Sequence, residues 1–333
     1  MPLLEVNDLH VAFPKGKKGE VEALRGVDLV LEKGQRLGVV GESGAGKSML
    51  AFAILNLIAE PGRVTQGSVT FDGQNLLGMS ERQIRHIRGN RISMIFQDPM
   101  VTLNPVLSIG QQMIETLKAH RSISTREAHK LCVEKLKLVA IPSAESRMDA
   151  YPHELSGGLR QRVVIAIALL TDPELIIADE PTTALDVTIQ AEIMSLILRL
   201  CRENDVALIL ITHDLGVVAE VTERIMIMYA GKCVETGRTR DIIDAPKHPY
   251  AVGLLKALPQ NSTKGAKLYQ IPGSMPPITN LPSGCPYHPR CERATDECRA
   301  AMPPLEHGVA CFHPMHVNLS HHAGEPKGAE TVE

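Results

Sequence analysis

The sequence predicts an α/β fold built on a parallel β-sheet, and three observations support this prediction. Short unbroken apolar runs, at Ile92–Phe96, Leu175–Ala178 and Ala207–Ile211, have the length and composition of strands buried on both faces. Polar residues follow each run at once. A further apolar run, Leu37–Val40, leads into a glycine-rich stretch and then a helical pattern from Ser48 to about Ala59. Because open α/β sheets bind ligands beyond the carboxyl ends of their strands, these junctions are candidate functional sites.

Composition narrows the class of protein. The chain has 333 residues, of which 44% are hydrophobic, so one large domain or two smaller ones can form a core. A net charge of −3, no Trp, and only five Phe and five Tyr argue against a general nucleic-acid binder. No apolar run reaches the roughly 18 residues of a membrane span, and the N-terminus lacks a secretory pattern. We expect a soluble, cytosolic protein that reaches membranes only through partners.

The glycine-rich stretch reads GESGAGKS from residue 41 to residue 48 and predicts a phosphate-binding loop. Gly41, Gly44 and Gly46 have no Cβ, so the backbone N–H groups can approach a phosphate closely. The start of the following helix adds a partial positive charge. Lys47 can reach the β- and γ-phosphates, and Ser48 can offer its hydroxyl to Mg²⁺. A chance glycine-rich turn is a poor alternative between a strand and a helix.

Three other strand ends carry residues suited to nucleotide hydrolysis. Asp179 can hold Mg²⁺ directly or through water, and Glu180 can polarise the attacking water as a general base. Gln97 is placed to reach the metal or the water, and His213 to meet a γ-phosphate. Taken alone, Gln97 and His213 are also compatible with ordinary surface or structural roles.

Two weaker signals accompany them. Ser156 is a plausible helix N-cap, and Gly157 and Gly158 leave backbone N–H groups open at the helix start, which predicts a second anion site. Phe13 precedes the phosphate loop, where an aromatic ring can stack on a nucleotide base. It can equally cap the small N-terminal sheet, and the residue type does not decide between the two.

The chain divides into a large N-terminal part and a small C-terminal part. Leu3–Val11 and Val21–Leu31 read as strands, and Ile225–Met228 as the final strand of the sheet. Helical spacing from Ile109 to about residue 140 predicts a helical insertion over about residues 98–160. We assign residues 1–250 to the nucleotide-binding domain and 251–333 to a C-terminal extension that ends in a disordered tail.

Four of the seven cysteines gather in this extension, with spacing C-x5-C-x6-C-x12-C, whereas Cys132, Cys201 and Cys233 are scattered. Cytosolic disulfides are rare, so the group predicts a metal module. Structural zinc usually uses closer pairs, and four thiolates with wider gaps suit an iron–sulfur cluster at least as well. Zinc on the same residues, with or without His288 or His313, and unligated cysteines remain alternatives. The four residues are Cys285, Cys291, Cys298 and Cys311.

In this order and spacing, the segments resemble the ATP-binding subunit of an ATP-binding-cassette (ABC) transporter over about residues 3–235. The resemblance implies a P-loop NTPase (RecA-like) domain with an antiparallel β subdomain, a helical subdomain and a small Cys-rich extension. Leu159 stands where many members have Gln. The matching motifs are Walker A (41–48), the ABC signature (155–159), Walker B (175–180), the Q-loop (Gln97), the D-loop (Asp186), the H-loop (His213) and an A-loop aromatic (Phe13).

The details are similar to the dipeptide, oligopeptide and nickel importer subfamily. They include FQDPM at residues 96–100, LNP at 103–105, the run from Asp179 to Val187, HPY at 248–250 and the Cys285–Cys291 segment. The resemblance implies an ATPase that powers import of di- or oligopeptides. Nickel or another small solute is the alternative cargo, and a soluble ABC ATPase acting on nucleic acid or the ribosome is a more distant one.

The resemblance also assigns residue roles. It implies catalysis by Glu180, His213 and Gln97, and Mg²⁺ binding by Ser48, Gln97 and Asp179. It implies a 4Fe–4S cluster on the four C-terminal cysteines, with Zn²⁺ as the alternative. Nucleotide contacts fall to Phe13, Gly41, Ser43, Gly44, Ala45, Gly46, Lys47, Ser48, Met49, Gln97, Asp179, Ser156, Gly157, Gly158 and Asp186.

The implied assembly contains a second ABC ATPase subunit, often a paralogue that makes the pair a heterodimer. ATP lies between the Walker A motif of one subunit and the signature of the other. Two membrane permeases and a solute-binding protein complete it, without direct contact to nucleic acid. We therefore expect a peripheral protein at the cytoplasmic face of the inner membrane.

Overall fold

Two β-sheets form the frame of the protein in this computed structural model, which describes residues 1–16, 19–183, 186–258 and 269–317. The strands are β1 (Leu4–Lys15), β2 (Gly19–Leu31), β3 (Arg36–Val40), β4 (Arg63–Phe71), β5 (Gln74–Asn75), β6 (Ile92–Ile95), β7 (Leu175–Asp179), β8 (Ala207–Thr212), β9 (Arg224–Tyr229) and β10 (Lys232–Arg238). The helices are α1 (Lys47–Ile54), α2 (Glu81–Arg85), α3 (Pro99–Thr102), α4 (Ile109–His120), α5 (Thr125–Leu138), α6 (Ala144–Arg147), α7 (Gly157–Ala168), α8 (Val187–Glu203), α9 (Leu215–Val221), α10 (Thr239–Asp244), α11 (Pro249–Lys256) and α12 (Asp296–Ala300).

The larger sheet has six strands in the order β10-β9-β3-β8-β7-β6. Its four pairings other than β10–β9 are all parallel, and two of them, β9–β3 and β3–β8, join strands that are not consecutive in the sequence. In register, Val40 lies opposite Thr212, and Asp179 opposite Ile211. Parallel pairing therefore brings the carboxyl ends of β3, β6, β7 and β8 to one edge, where the phosphate loop begins.

The smaller sheet is antiparallel, in the order β2-β1-β4-β5. Its inner face is buried with α1 and one face of the larger sheet in a single apolar core. Asp72 and Gly73, with φ of 46° and 76°, form the tight turn between β4 and β5. This packing fixes β2 beside the phosphate loop.

The region between β6 and α7 is helical, as the apolar spacing predicts. Ser108 and Ser124 cap α4 and α5, each in a capping box with the residue three positions later. Their apolar faces, including Met113, Leu117 and Leu136, join the second core together with α7 and α8. In the described part of the chain, no helix combines the length and hydropathy needed to cross a bilayer.

Two predicted boundaries are wrong. Ile225–Met228 is not in the last strand of the sheet, because β9 turns back into β10 through Ala230 and Gly231, with φ of 48° and 78°. Both residues are in the left-handed region that a tight hairpin turn requires. The helix after the phosphate loop ends at Ile54 and not near residue 59, because Asn56 adopts a left-handed φ of 50°.

The C-terminal extension packs back onto the larger sheet. The ring of Tyr287 lies edge-on to Tyr229, with centroids 5.3 Å apart, and also contacts Tyr250. Ala310 N–H donates to the Val234 carbonyl at 2.8 Å, which fixes the end of the extension on β10. The predicted disordered tail, with His321 and His322, lies outside the described residues.

Candidate functional site

A pocket of about 420 Å³ opens at the carboxyl edge of the larger sheet. It contains most residues that the sequence assigned to a nucleotide site, and they come from the phosphate loop, the start of α1 and three strand ends. Its lining is Ala23, Ser43, Gly44, Gly46, Lys47, Ser48, Met49, Gln97, Glu180, His213 and Ile278. Gly41 and Ala45 are buried beneath the loop and do not line the pocket.

The loop backbone requires glycine. Gly44 and Gly46 have φ of 82° and 100°, in the left-handed region. A Cβ at Gly41 would stand 2.4 Å from the Met228 carbonyl oxygen, which no side chain tolerates. The loop thus follows a tight path of the kind that brings backbone N–H groups close to an anion. Within it, Glu42 N–H donates to the Tyr250 hydroxyl and Ala45 N–H to the Glu42 carbonyl.

Lys47 is buried at the base of this loop. Its Nζ donates to the carbonyls of Gly41 and Glu42, at 2.8 Å and 3.2 Å. Burial lowers the pKa of the Lys47 ammonium, while the nearby carboxylates of Glu180, Asp179 and Glu42 oppose that shift. A polyanion in the pocket would add favourable charge to a buried cation.

Side chains that follow the other strand ends converge on Glu180. Its Oε2 accepts from Gln97 Nε2 at 3.2 Å and from Thr183 Oγ1 at 2.9 Å, and His213 Nδ1 lies 3.5 Å away. Lys47 Nζ lies 3.9 Å from Oε1. The Glu180 backbone has φ of 45°, a strained value for a non-glycine residue of the kind found at functional sites.

Asp179 and Ser48 form the candidate cation site. Asp179 is 5% exposed, and its Oδ1 has no hydrogen-bond partner among the described residues. Burial raises the pKa of Asp179, and a hydrogen bond with Ser48 opposes the rise. An unpartnered buried carboxylate oxygen beside a hydroxyl is the donor chemistry that Mg²⁺ prefers, so these residues fit that ion.

The second predicted anion site lies elsewhere. Ser156 caps α7, and its Oγ accepts from Leu159 N–H at 3.4 Å. Ser156 and Gly157 are exposed, Gly158 is half-buried, and none of the three lines the pocket. Asp186, the exposed N-cap of α8, is also outside the lining. The fold of one chain therefore does not bring these residues to its own phosphate loop.

Phe13 has a packing position and not a place in the pocket lining. A Cβ on Gly62 would stand 2.4 Å from the Phe13 ring, so the ring lies flush against that backbone beside the apolar core of the small sheet. This is the packing that the capping alternative describes, and base stacking by Phe13 stays a prediction. Sequence reasoning missed Ala23 and Ile278, which do line the pocket and which carry no motif signal.

Comparison with known proteins decides the family. Residues 24–183 match the ABC transporter family, and residues 234–298 match the oligopeptide/dipeptide transporter C-terminal region. The oligopeptide transport ATP-binding protein OppD of Salmonella typhimurium is 50% identical over 318 residues, covering 94% of each chain. The chain belongs to the ABC transporter ATPases of the oligopeptide/dipeptide class. It is an ATP-hydrolysing transporter subunit.

Two further likenesses agree with this family. The OppD protein of Bacillus subtilis is 51% identical over 284 residues, covering 85% of this chain and 79% of its own. A solved structure described as the dimeric post-hydrolysis state of the ATP-binding cassette MJ0796 bound to ADP and Pi is 28% identical, with a TM-score of 0.64. It covers 71% of this chain and 99% of that one.

The ATPase carries its four C-terminal cysteines around a second, smaller pocket. Cys285, Cys291, Cys298 and Cys311 all line it, and every cysteine of the chain is a free thiol. Burial raises the pKa of the Cys285 thiol to about 11, and raises the pKa values of Cys291 and Cys311 in the same direction. Within the residues that the structure describes, no group of three or more His, Cys, Asp or Glu side chains has an arrangement that would hold a metal ion.

The two histidines of the zinc alternative make other contacts. His288 Nδ1 lies 2.9 Å from the Cys285 carbonyl oxygen, and His313 Nε2 lies 2.9 Å from Thr295 Oγ1. Only their second ring nitrogens remain for a metal. Four thiols facing one pocket are the donor set of soft-metal sites, so the residue types fit zinc or an iron–sulfur cluster, although the arrangement does not preform one.

The cysteine region is tied to the phosphate loop by one ion pair. Arg290 Nη1 and Nη2 donate to the two carboxylate oxygens of Glu42, at 2.7 Å and 3.0 Å, and the Arg290 side chain is 5% exposed. The Glu42 N–H donates to the Tyr250 hydroxyl at 2.8 Å. Arg290 precedes Cys291 directly, so this pair joins the two pockets within one connected network.

Proposed function

We propose that this ATPase powers the import of oligopeptides across the inner membrane. The observation that carries the proposal is the convergence of Gln97, His213 and Lys47 on Glu180, together with relatives that are named for oligopeptide transport. ATP occupies the pocket at the phosphate loop. Its phosphates contact the N–H groups of residues 43–49 and the ammonium of Lys47.

Hydrolysis is assigned to the strand-end residues. Glu180 acts as the general base that takes a proton from the attacking water, and Gln97 and His213 hold that carboxylate and water in place. Ser48 and Asp179, with Gln97, hold Mg²⁺, which supplies positive charge to the phosphate oxygens. The buried, unpartnered Oδ1 of Asp179 supports this assignment.

The active unit is a pair of ATPase subunits. The exposed positions of Ser156, Gly157 and Asp186 support it, because these residues are available to a second chain but not to their own pocket. In the proposed assembly the partner is a paralogue, and each signature contacts the ATP on the other subunit. ATP favours the closed pair because its phosphates bind donors from both halves only there.

Contact with the membrane goes through permease subunits at the cytoplasmic face. Phe96, Met100 and Val101 expose apolar side chains directly beside Gln97, with exposures of 37%, 56% and 84%. Exposed apolar side chains next to a catalytic residue suit a partner that moves with hydrolysis. Two permeases and a solute-binding protein complete the proposed importer.

Transport is tested in proteoliposomes that contain the permeases, both ATPase subunits and the binding protein. We expect ATP-dependent uptake of a labelled oligopeptide, and none with Glu180→Gln. Uptake of nickel without peptide would contradict the peptide assignment. Absence of ATP hydrolysis in the complete assembly would contradict the enzymatic roles.

We also propose that Cys285, Cys291, Cys298 and Cys311 hold a 4Fe–4S cluster, with Zn²⁺ as the alternative. The four-thiol donor set supports this assignment. Anaerobic purification followed by iron, sulfide and zinc analysis is the test. We expect about four irons per chain, by the usual cluster composition, and their loss with Cys291→Ser. Stoichiometric zinc would support the alternative, and neither metal would contradict both assignments.

A further inference from the structure

The C-terminal extension reaches the pocket at the phosphate loop, called the ATP pocket below because ATP occupies it in the proposed function. Residues 270–279 lie against the phosphate loop and line, with Glu42, Ser43 and Gly44, a broad groove that adjoins the ATP pocket. A Cβ on Gly44 would stand 2.9 Å from the methyl carbon of Met275. The side chain of Ile278 goes further and lines the ATP pocket together with Ala23.

This segment is held in place from several sides. Lys15 Nζ donates to the Thr279 carbonyl at 2.6 Å, and Arg290 Nε donates to the Pro272 carbonyl at 2.8 Å. Met275 and Ile278 also pack against the apolar core shared by the small sheet and α1. Ile278 is therefore a fixed wall of the pocket.

The polar and apolar parts of the pocket have different sources. Lys47 and Ser48 begin α1 and Glu180 follows β7, and these polar residues lie where the phosphates and Mg²⁺ bind in the proposed function. Ala23 is on β2, and its carbonyl oxygen lies 3.1 Å from the place where a Gly46 Cβ would stand. Ala23 thus flanks the end of the loop that leads into α1. Because the phosphates take the polar part of the pocket in the proposed function, the base and ribose are left with the apolar part, which Ala23 and Ile278 line.

A nucleotide base needs an apolar surface at this end. Phe13, the aromatic residue that the sequence offered, is packed on Gly62 and does not line the pocket. The aliphatic side chain of Ile278, which lines the pocket together with Ala23, provides such a surface. Burying the face of a base against such a side chain is favourable because it removes apolar surface from water.

We propose that Ile278, in the C-terminal extension, is a positioning residue that forms the wall for the base and ribose of ATP. The proposal rests on ATP occupying this pocket. An aliphatic side chain contacts the face of a base and not its hydrogen-bonding edge. Ile278 therefore strengthens the binding of ATP and GTP by the same factor and leaves phosphate binding unchanged.

The test measures binding by calorimetry on the full chain in the Glu180→Gln background, with ATP, GTP and inorganic tripolyphosphate as probes. For Ile278→Ala, we expect both nucleotide Kd values to rise about five- to tenfold, the scale of losing a few apolar contacts in a pocket. The Kd for tripolyphosphate should stay within about twofold of the unsubstituted value, because this probe has no base. Ile278→Val should restore most of the nucleotide affinity.

Three results separate the possible outcomes. Unchanged nucleotide affinity in Ile278→Ala would overturn the proposal, and so would an equal loss for tripolyphosphate, which would mean that Ile278 only supports the loop. Tyr269→Ser is the matched control, since this exposed residue of the same segment lines neither the pocket nor the groove. Lys47→Ala must weaken all three probes; if it does not, ATP binding at this pocket fails independently of Ile278.

Discussion

The ATP pocket and the pocket lined by the four C-terminal cysteines, here called the cysteine pocket, differ in how much of each site is formed before a ligand binds. In the ATP pocket, the sheet places Gln97 and His213 within 3.5 Å of one carboxylate, and backbone strain is tolerated at Glu180 to keep it there. In the cysteine pocket, the four thiols face one space, but among the described residues they have no arrangement that would hold a metal.

The difference follows from the structural elements beneath each site. Residues at the ends of parallel strands are positioned by backbone hydrogen bonds that form whether or not a ligand is bound. Three of the four cysteines lie on turns and loop segments, and Cys298 lies on the five-residue helix α12. On such short elements, side-chain ligands are usually organised by the metal itself. We therefore expect substitutions in the preformed ATP pocket to reduce activity without unfolding it. In the cysteine pocket, if a metal organises it, loss of the metal should also unfold the surrounding segment.

The largest effect should come from Glu180→Gln. The amide keeps the size of the side chain but cannot accept a proton, so turnover should fall by about 10²- to 10⁴-fold while ATP binding persists. Phosphate release by the assembled ATPase pair measures the first quantity, and calorimetry on the chain the second. Glu203→Gln, an exposed change at the end of α8, is the control. Near-normal turnover in Glu180→Gln would exclude the general-base role.

A smaller effect should follow from cutting the link between the two pockets. Arg290→Ala leaves the Glu42 carboxylate without its partner beside the phosphate loop, so the Kd for ATP should rise about tenfold, the scale of one charge-assisted hydrogen-bonded contact. The double variant Arg290→Ala/Glu42→Gln should recover most of that loss, because the uncompensated charge is gone.

Arg293→Ala is the control for this cycle, because Arg293 lines the cysteine pocket and makes no ion pair with Glu42. If the double variant binds ATP as poorly as Arg290→Ala, charge compensation is not the function of the pair. The two pockets would then be connected only through packing.

The smallest effect is on the pH dependence of stability, and it comes from His248, a buried residue beside the cysteines. His248 is 1% exposed, and burial lowers its pKa to about 3. Between about pH 6.5 and pH 3 the unfolded chain binds a proton that the folded chain refuses, so this residue removes about 1.4 kcal/mol of stability per unit of falling pH.

His248→Asn is the matched variant, because the amide oxygen can replace Nδ1 as acceptor for the Tyr250 N–H, at 3.0 Å in the native protein, but does not titrate. Denaturant unfolding at pH 7.5 and pH 5.5 measures the difference. The wild type should lose more stability than the variant over this interval. Parallel losses would show that His248 is protonated in the folded state.

Sequence reasoning predicted the features that depend on local motifs. The phosphate loop and its lysine are contiguous, and Gln97, Glu180 and His213 each follow an apolar strand, so parallel pairing alone brings them together. It did not predict β10, because the Ala230–Gly231 turn has no strong hairpin signal. It also missed Ile278 and the Arg290–Glu42 pair, since contacts across more than 200 residues leave no pattern in one sequence. Phe13 had the right residue type but its surroundings, above all Gly62, decide its position.

The Arg290–Glu42 pair bears on how this enzyme can be divided. A chain ended after α11, at about residue 258, would look like a minimal nucleotide-binding domain by motif content. It would also leave the Glu42 carboxylate unpaired beside the phosphate loop, and it would remove Met275 from the loop and Ile278 from the pocket. Truncation is thus not a neutral shortening for this protein, and kinetic constants measured on such a fragment would describe a different active site.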